Sequence, residues 1–381
     1  MKKIAIIGAG ISGLFIANLF KKNPYYHFTI YEKNNVINLD EGYGIQLSVN
    51  SIKLLNEIGF NKLDSNKKFN PENLDIYSIN ETKKICELEI SKFNSEDCRY
   101  TTLKRSVLTN FLIKDLGDHI ITGSKISKID QFNQKIKLTF ENNKKSEYDH
   151  LIISDGVFSK SKSLISKSKI QPKYNNTLAI RGSLNKVPNY INDKNISLFL
   201  YSNFHFVIYP INSNGDLNFI AIMKYKMSSE DQKNYSLFTK DTFIKNILEK
   251  IPPAVKDITN NLEAIRIFPV FVSDNYYKLQ NKNIHLIGDA FFAFPPSFAQ
   301  GASQSIESAY ELFENLENNT ESNFFKNRVE KMKMVNNRSK LNLFAFHLSN
   351  PLTKFLRNIF LKRLVKNKKF LESYLGKIYR N

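Results

Sequence analysis

The stretch that decides the fold is residues 3–33, KIAIIGAGISGLFIANLFKKNPYYHFTIYEK. The apolar run Ile4 to Ile7 predicts a buried strand, which a glycine-rich turn follows. Residues 14–20 have the spacing of a buried helix, and Phe28 to Tyr31 predict a second strand. The chain therefore begins with a β-strand, turn, α-helix, β-strand unit, which predicts an α/β protein with a parallel sheet.

The turn contains Gly8, Gly10 and Gly13 in the G-x-G-x-x-G pattern, directly between the strand and the helix. The glycines allow a tight turn, a close approach of the backbone to a pyrophosphate, and close packing of helix on strand. The helix N-terminus offers free N–H groups and partial positive charge to phosphates. Glu32, at the end of the second strand, is placed to accept hydrogen bonds from a ribose. We therefore predict a dinucleotide, FAD or NAD; a purely structural turn is the alternative.

Two later apolar segments also end in an aspartate beside a glycine: HLIISDG at 150–156 and IHLIGD at 284–289. They add Asp155 and Asp289 to Glu32 as acidic strand ends, which we expect to converge on one long ligand. With the N-terminal position of the first unit, this favours FAD over NAD.

The segments between these strands alternate apolar and polar residues and are separated by Asn, Ser, Gly and Pro turns, which predicts an antiparallel sheet. We assign residues 66–100 and 170–275 to one discontinuous substrate domain. The predicted FAD-binding domain comprises residues 1–65, 101–169 and 276–338. A basic helical region, 339–381, completes the predicted fold.

The composition predicts a globular, cytoplasmic protein. With 381 residues, 42% of them hydrophobic, the chain can bury a large core, and its apolar runs are shorter than the roughly 18 residues that cross a bilayer. No signal peptide is predicted. Cys86 and Cys98 are too few for a disulfide framework or a zinc site, and no metal is expected. The net charge of +19 comes from lysines spread along the chain, so no nucleic-acid partner is predicted.

Three motifs together resemble the single-component FAD-dependent monooxygenases, the para-hydroxybenzoate hydroxylase-like flavoproteins that include the salicylate hydroxylases. GAGISG with Glu32 resembles their FAD fingerprint. SDGVFSKSK, residues 154–162, is similar to the family pattern D-G-x-x-S-x-x-R. GDAFFAFPPSFAQGAS, residues 288–303, is similar to G-D-A-A-H-x-x-x-P followed by G-Q-G-A-N. The resemblance covers nearly the whole chain.

The resemblance implies a set of FAD contacts and a dry wall for the flavin ring. Asp289 is expected to bind ribityl or ribose hydroxyls, and the uncharged residues 290–300 to lie along the ring. A helix starting near Gly301 is expected to stabilise negative charge on the ring, with glycine required there. The implied cofactor-binding residues are Gly8, Gly10, Ser12, Gly13, Glu32, Lys33, Gln46, Arg105, Asp155, Gly156, Asp289, Pro295, Gly301, Ala302 and Ser303.

Four residues depart from the family pattern. Phe292 stands where the family has histidine, Ser303 where it has asparagine, Ala299 where it has glycine, and Lys162 where it has arginine. Phe292 removes a polar group from beside the flavin, and Lys162 lacks the bidentate geometry of arginine. These changes bear on substrate contacts and NAD(P)H handling more than on FAD binding.

The implied chemistry is that NADPH or NADH reduces the FAD, O2 adds to give a flavin C4a-hydroperoxide, and one oxygen atom passes to an apolar aromatic or polyene-like substrate, by hydroxylation or epoxidation. No second dinucleotide fingerprint occurs, so NAD(P)H is expected to bind transiently. One alternative is an FAD-dependent dehydrogenase or reductase acting on a prenyl-type or quinone-precursor substrate. A non-catalytic flavin-binding sensor is another.

The candidate catalytic side chains lie on strand-like runs. We expect that His205, Tyr201 and Tyr209 could face the flavin ring, and that Arg181 could hold a substrate carboxylate or phenolate. For each of them, an ordinary packed strand residue is the simpler interpretation.

The C-terminal residues 352–381 contain nine Lys or Arg and one Glu, with Phe355, Ile359 and Phe360 at helical spacing. Such a helix can lie on an anionic membrane, which would place the protein peripherally at the inner face of the membrane. The interpretation we prefer from the sequence is that its apolar stripe packs on the FAD-binding domain.

Overall fold

A computed structural model describes residues 1–37, 39, 42–79, 83–132, 134–166, 170–279 and 281–379. The strands are β1 Lys2–Ile7, β2 Tyr26–Tyr31, β3 Gly44–Leu47, β4 Lys68–Phe69, β5 Asn73–Ser78, β6 Lys83–Glu89, β7 Thr101–Lys104, β8 Ile120–Ile121, β9 Ile126–Phe132, β10 Lys135–Phe140, β11 Lys145–Tyr148, β12 His150–Ile153, β13 Lys173–Leu184, β14 Ile196–Tyr201, β15 Phe204–Pro210, β16 Leu217–Lys224, β17 Glu263–Val272 and β18 Ile284–Leu286. The helices are α1 Ile11–Lys21, α2 Val49–Asn56, α3 Arg105–Ile113, α4 Lys160–Ser166, α5 Asp241–Leu248, α6 Lys256–Thr259, α7 Gly301–Glu317, α8 Glu321–Phe346, α9 Pro351–Leu364, α10 Lys368–Leu371 and α11 Lys377–Tyr379.

The centre of the fold is a parallel sheet in the order β18-β12-β1-β2-β8. Strands β1, β12 and β18 are buried over most of their length because Ile4–Ile7, Leu151–Ile153 and most of β18 are apolar, as expected for a parallel sheet covered on both faces. Helix α1 packs its apolar side on this sheet, against α7 and α3. The strands predicted from residues 4–7, 28–31, 150–156 and 284–289 all belong to it.

A second, seven-stranded sheet has the order β17-β13-β16-β15-β14-β5-β6. Every pair is antiparallel except β14 and β5, which are parallel. One face carries the aromatic cluster of Phe199, Phe206 and Phe219 and is covered by α5 and α6. The opposite face carries Tyr209, which belongs to the same apolar cluster as the parallel sheet. The predicted combination of a parallel sheet and a mainly antiparallel sheet is confirmed.

Two smaller sheets complete the described strands. β3, β7 and β4 form an antiparallel sheet, and the Gly44 N–H donates to Asn218 Oδ1 at 2.6 Å, which joins this sheet to the seven-stranded one. β9, β10 and β11 form an antiparallel meander directly before β12. This meander was not predicted, because its strands are largely polar and carry no apolar run.

The C-terminal region is helical, as predicted, but its packing differs from the preferred interpretation. Phe355 and Phe360 on α9 are 62% and 56% exposed, whereas Arg357 is buried, so the proposed packing of the apolar stripe is wrong. The reason is that α9 turns Leu361 toward the edge strand β6 and places its phenylalanines on the other side. Within the described residues, no helix combines the length and the apolar character that crossing a membrane requires.

Candidate functional site

The candidate site lies at the carboxyl edge of the parallel sheet, where four neighbouring strands end. The strands stay paired up to this edge: Gly8 N–H donates to Tyr31 O at 2.8 Å, and Ser154 N–H donates to Ile7 O at 2.8 Å. Gly8, Glu32, Asp155 and Asp289 each follow one of these strands. The structure therefore brings the three predicted acidic residues and the glycine turn to one edge.

Two of the fingerprint glycines are required by the protein itself. Gly8 has φ of +101°, and a Cβ there would lie 2.7 Å from Ser154 O. A Cβ on Gly13 would lie 2.2 Å from Gly8 O, which is too close for any side chain. The Ser154 hydroxyl donates toward Gly8 O at 3.0 Å and closes the turn. The turn thus brings α1 against β1 and directs the helix N-terminus along the sheet edge.

Two other glycines have no such structural reason. A Cβ on Gly10 or Gly301 would meet no protein atom within 4 Å, and neither residue has a positive φ. Gly10 is the N-cap of α1 and Gly301 is the first residue of α7, and neither helix start has a side-chain cap or an acidic residue in its first turn. Open space in front of two uncapped helix N-termini fits a ligand with a pyrophosphate and an electron-accepting ring.

Two of the acidic residues differ in how they are held. Glu32 accepts from Ala9 N at 3.1 Å and Asn34 N at 3.0 Å, which orients its carboxylate toward the glycine turn. Lys33, the next residue, is exposed. Asp155 accepts from Ser161 N at 3.2 Å through one oxygen, while its other oxygen is buried without a hydrogen-bond partner in the described part of the chain. A buried oxygen without a partner is what a ligand hydroxyl would satisfy.

Asp289 lies deep in the cleft, yet its side chain remains exposed to it. The surrounding protein displaces water from around the carboxyl and raises its pKa to about 6, and the Arg105 guanidinium opposes this shift. Because the side chain is exposed to the cleft, solvent screening weakens this shift while the cleft holds water. Gly288, just before Asp289, has φ of +58° and packs against the Ser12 side chain.

The stretch after Asp289 is a buried, mostly apolar wall. Ala290, Phe291, Phe292, Ala293, Pro295 and Phe298 are all buried. Phe292 stacks on Tyr276 with ring centroids 4.3 Å apart, so the departure from histidine fills an aromatic cluster. Ser273 N–H donates to Ala293 O at 2.8 Å and fixes the wall to the end of β17.

The other departures also have structural consequences. Lys162 is buried, and its ammonium donates one hydrogen bond, to Ala290 O at 3.1 Å, next to Asp289 in the sequence. Burial lowers the pKa of Lys162, and the Asp155 carboxylate opposes that shift. Ala299 has φ of +51°, the left-handed region in which glycine is the unstrained residue. The Ser303 hydroxyl bonds with Ser51 Oγ at 2.9 Å and with Ser48, so it is turned into the protein.

A buried polar network behind the N-terminus of α7 was not predicted. Arg328 on α8 is fully buried and pairs with Glu307 and Glu311 on α7, each at 3.2 Å. Its guanidinium also bonds with Gln304, which in turn donates to Gln300 at 3.2 Å. The signal in the sequence was the polar series 300, 304, 307 and 311, which forms a stripe on one helix face. This network fixes the helix start at which Gly301 and Ala302 stand.

The candidate substrate face is the side of the seven-stranded sheet that carries Tyr209. Burial raises the pKa of Tyr209, opposed by Arg181 and by hydrogen bonds with Gln46 and Asn218, so these four side chains lie together. Gln46 also accepts from the Tyr100 hydroxyl at 2.8 Å. The face therefore combines a neutral phenol, an amide and a guanidinium.

Two candidate side chains are not part of this group. His205 is buried at the other end of β15, where its Nδ1 lies 2.7 Å from His347 Nε2 and its ring contacts Phe346. Burial lowers the pKa of His205 well below its usual range, and His347 adds to the shift. Tyr201 packs against the cluster on the far face of the sheet.

Comparison with known proteins identifies the class. The profile of the FAD binding domain family matches residues 1–321, so the chain belongs to that family. The family confirms the predicted resemblance to FAD-dependent monooxygenases, with FAD as cofactor, and the protein is an FAD-dependent oxidoreductase.

Three proteins illustrate the similarity. 3-amino-4-hydroxybenzoate 2-monooxygenase PtmB3 from Streptomyces platensis is 22% identical over 316 residues, 81% of this chain and 78% of that protein. Chloroplastic zeaxanthin epoxidase from an Oncidium hybrid cultivar is 24% identical over 220 residues, 56% of this chain, and the match spans 32% of the epoxidase. HpxO from Klebsiella pneumoniae, complexed with FAD and uric acid, has the same fold, with a TM-score of 0.83, coverage of 98% of this chain and 97% of that chain, and 15% identity.

Proposed function

We propose that this protein is an NAD(P)H-dependent monooxygenase that hydroxylates or epoxidises a small, apolar aromatic or polyene-like substrate. The observation that carries the proposal is that the open helix start at Gly301 adjoins an apolar wall that shares one buried cluster with the sheet face at Tyr209. A flavin ring at the wall and a substrate at the sheet face would thus be neighbours in a dry space. Dryness favours oxygen transfer, since water promotes wasteful loss of peroxide.

The residues that would hold FAD follow from the site. The N–H groups at the start of α1 would bind the pyrophosphate, because Gly10 has no side chain to cover them. Glu32 would accept a hydrogen bond from a ribose hydroxyl. The free oxygen of Asp155 and the Asp289 carboxylate would accept from hydroxyls nearer the ring. The N-terminus of α7 would place positive potential beside the ring. When bound and reduced by NAD(P)H, FAD supplies the activation of O2.

On the substrate side, Tyr209 stays a neutral phenol and can donate a hydrogen bond, because burial raises its pKa. Arg181, whose guanidinium lies 5.6 Å from the centre of the Tyr43 ring, can hold a carboxylate or phenolate. Phe268 also contacts the Tyr43 ring edge-on, with ring centroids 6.0 Å apart. Phe268 also lines an apolar cavity of about 230 Å³ at the edge strand β17, together with Phe158, Phe271 and Phe238. The aromatic rings near Arg181 support a small aromatic substrate.

The test is to load the purified protein with FAD and screen phenolic, polyene and quinone-precursor compounds for stimulated oxidation of NADPH or NADH under ¹⁸O₂. We expect one ¹⁸O atom in the product of an active compound. For an anionic aromatic substrate, Arg181→Met should raise KM. The matched control is Arg266→Met. Arg266 is exposed and lies opposite Arg181 on the neighbouring strand β17. NAD(P)H oxidation without labelled product for every compound would refute oxygen transfer.

The second candidate is an FAD-dependent dehydrogenase or reductase acting on a prenyl-type or quinone-precursor substrate. It is favoured by the apolar character of Phe292, which is stacked on Tyr276 where the family has a polar histidine. Product formation that continues without O2 would distinguish it from the monooxygenase. A flavin that neither NADPH nor NADH reduces, with every compound tested, would instead indicate a non-catalytic sensor.

A further inference from the structure

Exposed apolar side chains are concentrated at the junction of α8 and α9. Of fourteen large apolar residues that are exposed in the described part of the chain, six fall within residues 341–360. They are Leu341, Phe344, Leu352, Phe355, Leu356 and Phe360, between 43% and 67% exposed. We call these six residues the apolar face. It lies beyond residue 321, where the family match ends. A concentrated exposed patch of this kind marks an interaction surface.

Helix α9 has the opposite orientation from an ordinary surface helix. Its exposed apolar residues occupy positions 352, 355, 356 and 360, which share one side of a helix. Its buried residue is Arg357, whose guanidinium donates to Ala345 O at 3.3 Å and to Asn358 Oδ1. The bond to Ala345 also ties α9 to the last turn of α8, next to Phe344. Arg357 therefore holds the helix with its apolar side outward.

The surroundings of the apolar face are strongly basic. Residues 331–371 contain eleven Lys or Arg and no Asp or Glu. Lys340, Lys362, Arg363 and Lys366 are exposed beside or between the apolar residues, and within the described part of the chain none of them pairs with a carboxylate. The face therefore presents apolar side chains among positive charges that no described carboxylate neutralises.

We propose that the apolar face is a membrane-docking surface that binds an anionic lipid bilayer in its interfacial layer. The phenylalanines would enter the boundary between headgroups and acyl chains, and the lysines and arginines would contact the anionic headgroups. A second copy of the chain is the poorer partner, because a twofold contact through this face would bring its cations together. This proposal does not depend on which substrate the enzyme uses. If the substrate is apolar and dissolves in the bilayer, docking would bring the enzyme close to it.

The first experiment is co-sedimentation of the FAD-loaded protein with vesicles of phosphatidylcholine containing 30% phosphatidylglycerol. The test variant is the triple substitution Phe344→Ser, Phe355→Ser and Phe360→Ser, and the matched control is Phe132→Ser, since Phe132 is 74% exposed on β9. We expect the triple variant to bind the vesicles at least about 100-fold more weakly than the wild type. The control should bind like the wild type. Flavin content and the thermal midpoint verify that each variant is folded.

The second experiment tests charge. Lys362→Glu with Arg363→Glu should weaken binding at least about 25-fold, at about 5-fold for each cation lost. The control is Lys186→Glu with Lys194→Glu, two exposed lysines far from α9 in the sequence. Binding should also weaken as salt rises.

Three results would overturn the proposal: no vesicle binding by the wild type at low salt, equal binding by wild type and the triple variant, or equal binding to vesicles of phosphatidylcholine alone. A concentration-dependent dimer that the triple variant abolishes, without vesicle binding, would show instead that the face joins two copies. The proposed function is tested separately, by substrate-stimulated NAD(P)H oxidation without vesicles. Loss of vesicle binding with that oxidation intact would therefore overturn the docking proposal alone.

Discussion

Replacing Gly10 with alanine should weaken FAD binding without destabilising the protein, whereas the same change at Gly13 should destabilise it. The difference is geometric: a Cβ at Gly10 meets nothing within 4 Å, and one at Gly13 lies 2.2 Å from Gly8 O and 2.5 Å from Ser154 Oγ. Gly10 has φ of −85° and ψ of −178°, which alanine adopts without strain. The two substitutions add the same single methyl group to the same turn.

The magnitudes follow from these distances. At Gly10, alanine restricts the unfolded chain, which stabilises by about 0.4–1 kcal/mol, and is a poorer N-cap by a similar amount, so the change in unfolding free energy should be near zero. At Gly13, the backbone must move by about 1 Å, which costs about 1–3 kcal/mol or more. A methyl group facing the pyrophosphate would break at least one charge-assisted hydrogen bond, worth about 1.5–3 kcal/mol, so the Kd for FAD should rise about 10- to 150-fold in Gly10→Ala.

The assay is fluorescence titration of apoprotein with FAD, together with urea unfolding of each apoprotein. We expect Gly10→Ala to unfold like the wild type and bind FAD weakly, and Gly13→Ala to unfold at lower urea. Wild-type FAD affinity in Gly10→Ala, or an equal loss of stability in both variants, would refute the reasoning.

Three further predictions concern charge and strain. Burial raises the folded pKa of Asp289 from 3.8 toward about 6, and water in the cleft of the apoprotein weakens that shift, so its carboxyl favours the folded apoprotein at low pH and this stability is lost as the pH rises through the folded pKa; Asp289→Asn should therefore raise the thermal midpoint modestly at pH 8, with the gain vanishing near pH 4, while weakening FAD binding. Ala299→Gly should raise the unfolding free energy by about 0.5–1 kcal/mol, since relief of left-handed strain, about 1–2 kcal/mol, exceeds the entropic cost of glycine; a lower urea midpoint would contradict this. Burial lowers the pKa of His285 and of His347 to about 3, so their contribution to stability is lost as the pH falls below the unfolded value of 6.5, by up to about 1.4 kcal/mol per pH unit each; constant stability to urea from pH 7 to pH 5 would count against this.

The parallel sheet could be predicted because its signals are local. Each central strand is an apolar run, and Glu32, Asp155 and Asp289 mark where the strands end. The meander β9–β11 carries a weaker signal, because its strands are largely polar and half-exposed. The packing of α9 could not be read from periodicity, which reveals an apolar stripe but not the side of the helix that the sheet covers.

The residues of the site were visible in the sequence, but their individual roles were not. Local pattern marks Gly8, Gly10 and Gly13 alike, and only the distances show that, of these three, Gly10 faces open space. His205 was a reasonable candidate on its strand, yet its partner His347 is 142 residues away in the sequence. Such long-range pairs follow from tertiary packing, which a single sequence does not display.

The most direct test of the account is a crystal structure of the FAD-loaded protein. We predict that the adenosine ribose lies within about 3.2 Å of the Glu32 carboxylate, with the pyrophosphate at Gly10 and the flavin ring at the N-terminus of α7 near Gly301. An FAD bound away from this edge of the parallel sheet, or one whose ring points away from residues 290–302, would contradict it.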